Sequence, residues 1–149
     1  MTQTNAPAVP AIVLRRRYQA SRERVFAAWT TPEIASRFLG PGEHRTVDIE
    51  MDVRPGGSYR LTMVKADGER LPVGGTYLEV RPPEHLAMTW RWQEDDPADE
   101  YDSLLTLDFN ELQGETELVL THERLATVVS RDNHEGGWTQ ILEQLGEVV

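Results

Sequence analysis

The chain of 149 residues has no cysteine, which excludes disulfides, thiolate nucleophiles and cysteine-ligated zinc together and suits a reducing compartment. No uninterrupted apolar run approaches the ~20 residues that a membrane-crossing helix requires. From Met1 to Ala11 there is no basic start followed by an apolar stretch, so no signal peptide is expected. Cationic side chains are in the minority: 15 Lys and Arg face 25 Asp and Glu, a formal net charge of −10. That balance repels phosphate backbones and anionic lipid at long range, which argues against nucleic acid as a partner and against membrane insertion. A cytoplasmic, acidic protein is expected.

Metal and phosphate chemistry also lack their usual marks. The four histidines are His44, His85, His122 and His134, and none pairs with another at the i, i+4 spacing that places two ligands on one helix face. Asp48, Glu50 and Asp52 form a carboxylate row on one strand face, without the glycine-turned loop of a calcium site, and read as a solvated face. Gly56-Gly57 stands between two strands and Gly136-Gly137 inside a helical pattern, so neither pair makes a strand–loop–helix phosphate cradle. No metal and no cofactor are expected. The basic cluster Arg15, Arg16, Arg17, Arg22 and Arg24 reads as a solvated strand face followed by a helix start.

Residues 1–10, rich in Ala, Pro, Thr and Asn, have nothing to bury and are expected to form a flexible tail; a single domain spans 11–149. Ile12, Leu14 and Tyr18 alternate with Val13, Arg15 and Arg17, a strand period. Ser21 then caps a helix that buries Val25, Phe26 and Trp29. Thr31-Pro32-Glu33 opens a second, short helix with Ile34 and Phe38 on one face, because proline at the first helical position loses no hydrogen bond. From His44 to His122 the pattern alternates and turn signals recur, as in an antiparallel meander. Val47, Ile49, Met51 and Val53 share a face, and so do Tyr59, Leu61 and Met63. Asp67-Gly68 reads as a two-residue hairpin turn. Thr76, Leu78 and Val80 lead into Pro82-Pro83, Leu86, Met88, Trp90 and Trp92 share the next strand's face, and an acidic loop runs from Glu94 to Glu100. Leu105, Leu107 and Phe109, then Leu118, Leu120 and His122, mark two more strands. A helical stripe of His134, Trp138, Ile141, Leu142 and Leu145 closes the pattern and must bury itself on the sheet.

Several short words occur in a characteristic order: Arg24-Val25-Phe26-Ala27-Ala28-Trp29-Thr30-Thr31-Pro32-Glu33, Gly40-Pro41-Gly42, Asp52-Val53-Arg54-Pro55-Gly56-Gly57, Gly75-Thr76-Tyr77-Leu78-Glu79-Val80, Pro82-Pro83-Glu84-His85-Leu86, Thr89-Trp90 and Gly136-Gly137-Trp138. In this order the chain resembles the family of homologues of the activator of heat-shock-protein-90 ATPase, within the START-like or SRPBCC superfamily. Phe38 stands where the family's short helix usually carries Trp. The resemblance implies an α+β helix-grip fold: a curved, seven-stranded antiparallel sheet around a long C-terminal helix, with two short helices between strands 1 and 2 and a hydrophobic cavity between sheet and helix. It implies no single activity, since relatives bind lipids, hormones or polyketides, some catalyse cyclisation or hydrolysis, and the namesakes stimulate a chaperone ATPase.

The residues support three readings of function. The first is a binding module for a small apolar or amphipathic molecule, walled by Phe38, Met63, Met88, Trp90, Leu105, Leu107, Leu120, Trp138 and Ile141, with His122 as a polar contact. The glycines at 136 and 137 would let the helix approach the sheet or leave room for the ligand. The second is an enzyme of the cyclase or hydrolase kind with His122 as general base, since its ordinary pKa lies near neutrality; the plainer reading of His122 is a core histidine bonded to a neighbour. The third is a protein-interaction adaptor, chaperone-linked or otherwise, that presents the loop from Glu94 to Glu100.

Overall fold

A computed structural model describes residues 8–149 of the chain. Strand β1 (Ile12–Tyr18) is followed by helices α1 (Arg22–Thr30) and α2 (Pro32–Ala35), then by β2 (Arg45–Met51), β3 (Ser58–Val64), β4 (Arg70–Arg81) and β5 (His85–Trp92). A 3-10 turn at Pro97–Asp99 leads to β6 (Ser103–Leu112), β7 (Glu115–Glu123) and the long helix α3 (Val128–Gly146). The seven strands form one antiparallel sheet in the order β1-β7-β6-β5-β4-β3-β2. Successive hairpins lay β2 to β7 side by side, and β1 closes onto β7 with Ile12 opposite His122 and Tyr18 opposite Thr116. The excursion through α1 and α2 therefore carries the chain from one sheet edge to the other.

The core forms where the alternating residues of the sheet meet α3. Leu105, Leu107 and Phe109 of β6, Leu118 and Leu120 of β7, and Leu86, Met88 and Trp90 of β5 are buried against Trp138, Ile141, Leu142 and Leu145. Each such side chain contributes about 1.5–3 kcal/mol by leaving water. The Tyr18 hydroxyl donates to Leu142 O at 2.7 Å, tying β1 to the helix, and burial raises its pKa well above the ordinary tyrosine value. Ser21 caps α1 by accepting from Arg24 N, and Thr127 caps α3 by accepting from Ser130 N. Thr31 occupies the cap position of α2 but makes no side-chain cap bond; Pro32 at the first position suffices to start it. Of the tail expected over residues 1–10, residues 1–7 lie outside the described residues, while Val9 packs against the core and Arg131 Nε donates to Pro10 O.

Two strand faces depart from simple alternation. In β2 the register shifts between Val47 and Glu50, with Asp48 at φ 53°, so Thr46 rather than Val47 is the buried side chain. In β4 it shifts between Tyr77 and Glu79: Tyr77 is 2% exposed and Leu78 is 48% exposed, the reverse of the expected face. Such bulges add one residue to a strand and turn the residues beyond it to the other side. The β3–β4 connection also corrects the expected two-residue turn. Lys65 N bonds Glu69 O, which leaves Ala66-Asp67-Gly68 as a three-residue loop with Gly68 at φ 91°.

The solvated faces are laced by ion pairs. The carboxylate row is matched by arginines, Asp48 with Arg70 at 2.7 Å, Glu50 with Arg60 at 2.7 Å and Asp52 with Arg54 at 2.9 Å. From the basic cluster, Arg15 meets Glu117 and Arg17 meets Glu115. Exposed pairs of this kind contribute about 0–1 kcal/mol each.

The loop between α2 and β2 is held from a distance. Gln144, on α3, donates from Nε2 to Phe38 O at 3.0 Å and to Gly40 O at 2.8 Å, and its Oε1 accepts from Gly42 N at 3.0 Å. One side chain thus satisfies three backbone groups that no strand or helix serves. Gly40 itself admits no side chain, since a Cβ there would overlap His44 O. Replacing Gln144 with Leu keeps the stem and removes the amide. At about 1 kcal/mol per bond, less what water restores, the variant is expected to lose about 2 kcal/mol, read as a lowered urea midpoint with unchanged m-value. An unchanged midpoint would mean that solvent replaces the staple at no cost.

Candidate functional site

A cavity of about 280 Å³ lies between α3 and the sheet. Met63 of β3 and its cross-strand partner Leu71 of β4 form one side. Trp90 and Trp92 of β5 form the floor, and the stapled loop contributes Pro41 and His44. The helix supplies Asn133, His134, Gly137, Trp138 and Ile141, two adjacent pairs one turn apart and a residue of the next turn, all on one face. The indole of Trp90 is packed against Trp138 at 5.0 Å and edge-on to Trp92 at 5.6 Å between ring centroids. A broader concavity of about 930 Å³ lies on the opposite face of β2 to β5, beside the acidic loop. Its lining mixes Ile49, Pro72 and Gly74 with charged groups already engaged with each other, Arg60 with Glu50 and Arg91 with Glu100, and is more polar than the wall of a small-molecule site.

Two indole–imidazole pairs take up most of the ring nitrogens around the cavity. Trp138 Nε1 donates to His122 Nδ1 at 3.0 Å. An indole N–H can only donate, so His122 Nδ1 is an acceptor and the ring proton sits on Nε2. That Nε2–H donates to Ser103 Oγ at 2.7 Å, and the serine hydroxyl donates its own proton to Trp90 O at 2.9 Å. In the second pair Trp92 Nε1 donates to His134 Nε2 at 2.8 Å, while His134 Nδ1–H donates to Ser130 O at 2.7 Å. The two histidines are thus opposite tautomers, with ring centroids 5.1 Å apart. Burial pushes the His122 pKa from 6.5 down to about 3, with the neighbouring His134 adding to the shift. Burial likewise lowers that of His134, partly opposed by its bond to Ser130. Both are neutral. Trp90 Nε1, by contrast, is buried with no acceptor among the described residues, a cost of about 1–3 kcal/mol that the packing of the ring must offset.

Of the wall residues expected from the sequence, Met63, Trp90, Trp138 and Ile141 line the cavity. Met88, Leu105, Leu107 and Leu120 are buried in the packed core and do not reach it. Phe38 is buried edge-on against Trp29 at 5.1 Å, and Trp29 in turn lies 6.2 Å from Trp138. His122 stands behind Trp138, fully buried and outside the wall. The wall expected from the sequence omits Pro41, His44, Leu71, Trp92, Asn133, His134 and Gly137, although Trp92 and His134 read as inward-facing and Gly137 as room for a ligand. Leu71 was legible in principle, since it mirrors Met63 about the Asp67 turn, and Asn133 lies one turn before Gly137. Pro41 and His44 depend on where the loop folds back. Among the described residues no group of three His, Asp or Glu could hold a metal ion, and no helix is long and apolar enough to cross a membrane.

The remaining histidine, His85, starts β5 between two carboxylates, with Nδ1 at 2.6 Å from Asp108 and Nε2 at 3.0 Å from Glu79. In the acidic loop Asp96 caps the 3-10 turn, and Glu100 binds Arg91 and Glu94 N. Two of that loop's carboxylates, Asp96 and Glu100, are therefore engaged in shaping it.

The fold is shared with solved structures. Protein CV1439 of Chromobacterium violaceum is similar with a TM-score of 0.84 and 29% identity, over 94% of this chain and 97% of that one. The AHSA1 protein SPO3351 of Silicibacter pomeroyi gives 0.81 and 26% identity, over 93% and 96%. CalU16 of Micromonospora echinospora gives 0.69 and 26% identity, over 93% of this chain and 74% of that one. No curated protein matches the sequence. The sheet order, the helices between β1 and β2 and the long helix across the sheet make this the helix-grip, START-like fold. The model of the Activator of Hsp90 ATPase homolog 1-like protein matches residues 19–149, and the chain belongs to that family.

Proposed function

We propose that this protein binds a small amphipathic molecule in the cavity beneath α3. The observation that carries the reading is the chemistry of the wall: an apolar space of about 280 Å³ faced by aromatic rings and aliphatic chains, whose ring nitrogens are largely bonded to one another. Such a wall offers contact area and few free hydrogen bonds, so the body of the ligand is apolar. Two polar wall residues differ. Asn133 is exposed and His44 half-buried, and neither side chain makes a hydrogen bond among the described residues. They suit a polar end group at the cavity's solvent side. The volume falls just under the ~300–1,000 Å³ usual for ligand sites, which favours one or two rings or a short chain.

Native mass spectrometry of freshly purified protein is expected to show a low-mass adduct that is lost on denaturation. A bare mass, together with indole N–H resonances that do not respond to a panel of small ring compounds, would defeat the reading.

His122 enters this reading as a structural residue. With Nδ1 accepting from Trp138 and Nε2 donating to Ser103, its ring has no free lone pair, and a base role would first require the Trp138 bond to break. The lowered pKa has a consequence for stability. Between pH 6.5 and about 3 the unfolded chain binds a proton at His122 that the folded chain refuses, so stability is full above pH 6.5 and falls as pH falls. The slope is about 1.4 kcal/mol per pH unit, near 2 kcal/mol at pH 5, with His134 acting in the same direction. Urea midpoints measured from pH 7 to pH 5 should fall accordingly. The imidazole ¹⁵N shifts of His122 should stay those of the neutral Nε2–H form throughout; titration near pH 6.5 would contradict the buried network.

A further inference from the structure

Helix α3 carries Gly136-Gly137 near its middle, where each glycine costs about 1 kcal/mol relative to alanine. Elsewhere in the chain space demands glycine: a Cβ on Gly57 would overlap Asp52 O, and one on Gly75 would overlap Thr89 O. The helical pair is under no such demand. A Cβ on Gly136 meets nothing within 4 Å, and one on Gly137 meets only Pro41 Cγ and Cβ, at 3.8 and 3.9 Å, which is ordinary contact. Neither residue has a positive φ. Close approach of helix to sheet is therefore not what these glycines provide, and the fold would gain from alanine at both.

What separates the two positions is what they face. Gly136 is exposed, whereas Gly137 is half-buried on the cavity wall opposite Pro41. Pro41 cannot swing aside as an open side chain could: its ring is closed onto the backbone, and its neighbours Gly40 and Gly42 are bonded to Gln144. A methyl group at 137 would thus take its volume from the cavity. We infer that Gly137 is a specificity-determining residue whose missing side chain sets the upper size of the ligand, which lies against bare helix backbone between Trp138 and Pro41. This inference rests on the binding reading above.

The test compares Gly137→Ala with Gly136→Ala, using 1-alkanols from butanol to decanol and tryptophan fluorescence. In the unaltered protein affinity should rise about fourfold per methylene until the cavity is full. Both variants should melt no lower than the parent. Gly137→Ala should shift the chain-length limit down by about one carbon and weaken the longest well-bound alcohol at least fourfold, while Gly136→Ala keeps the parent's limit. An unchanged limit in Gly137→Ala, or the same shift in both variants, would overturn the inference and leave the cavity reading standing. Failure of every alkanol to saturate the unaltered protein would bring down the cavity reading, and this inference with it.

Discussion

The hydrogen bond from Trp138 to His122 decides where α3 sits on the sheet, and most of the interior depends on it. It joins the helix to β7, and through the Ser103 hydroxyl it continues to the backbone of β5. Each group in this chain has one possible role. The indole must donate, so the imidazole must accept at Nδ1 and donate at Nε2, and the serine must turn its proton to Trp90 O. A network so constrained is satisfied in one helix position only, because displacement by a few ångströms would strand buried donors that water cannot reach.

The cavity is a consequence of where along α3 the helix is anchored. Trp138, Ile141, Leu142 and Leu145 are buried, whereas no residue from Val128 to Gly137 is. The second half of the helix is packed on the sheet, and the first half stands away from it over Trp92, tied by the Trp92–His134 bond and by Arg131 to the chain ahead of β1. The space left between them is closed at one side by the loop that Gln144 holds. Anchoring and emptiness are thus two ends of one helix, separated by a glycine pair that no packing requires.

Hydrogen bonding also shapes what the site can do. Two histidines beside a cavity invite an acid–base reading, yet each is neutral, with one nitrogen accepting from a tryptophan and the other donating. The nitrogens of each are taken up by its own partners, and only His134 lines the space, with His122 behind Trp138. Aromatic groups with polar handles can build an apolar wall in this way, provided that every handle has somewhere to go; Trp90 is the exception on the cavity wall.

Local chemistry determined much of this protein. The alternation of Leu105, Leu107 and Phe109, the Ser21 cap, Pro32 at a helix start and the stripe from Trp138 to Leu145 are short-range patterns, and they predict the strands, the helices and the face of α3 that is buried. Met63, Trp90, Trp138 and Ile141 were legible as cavity wall for the same reason. Tertiary structure alone decided the rest. The bulges at Asp48 and Leu78 are set by how neighbouring strands pair, and no local pattern records that register. The Gln144 staple joins groups more than a hundred residues apart, and the tautomers of His122 and His134 depend on which indole arrives beside them. Periodicity shows which side of an element turns inward; only the assembled chain shows which inward residues meet one another and which meet empty space.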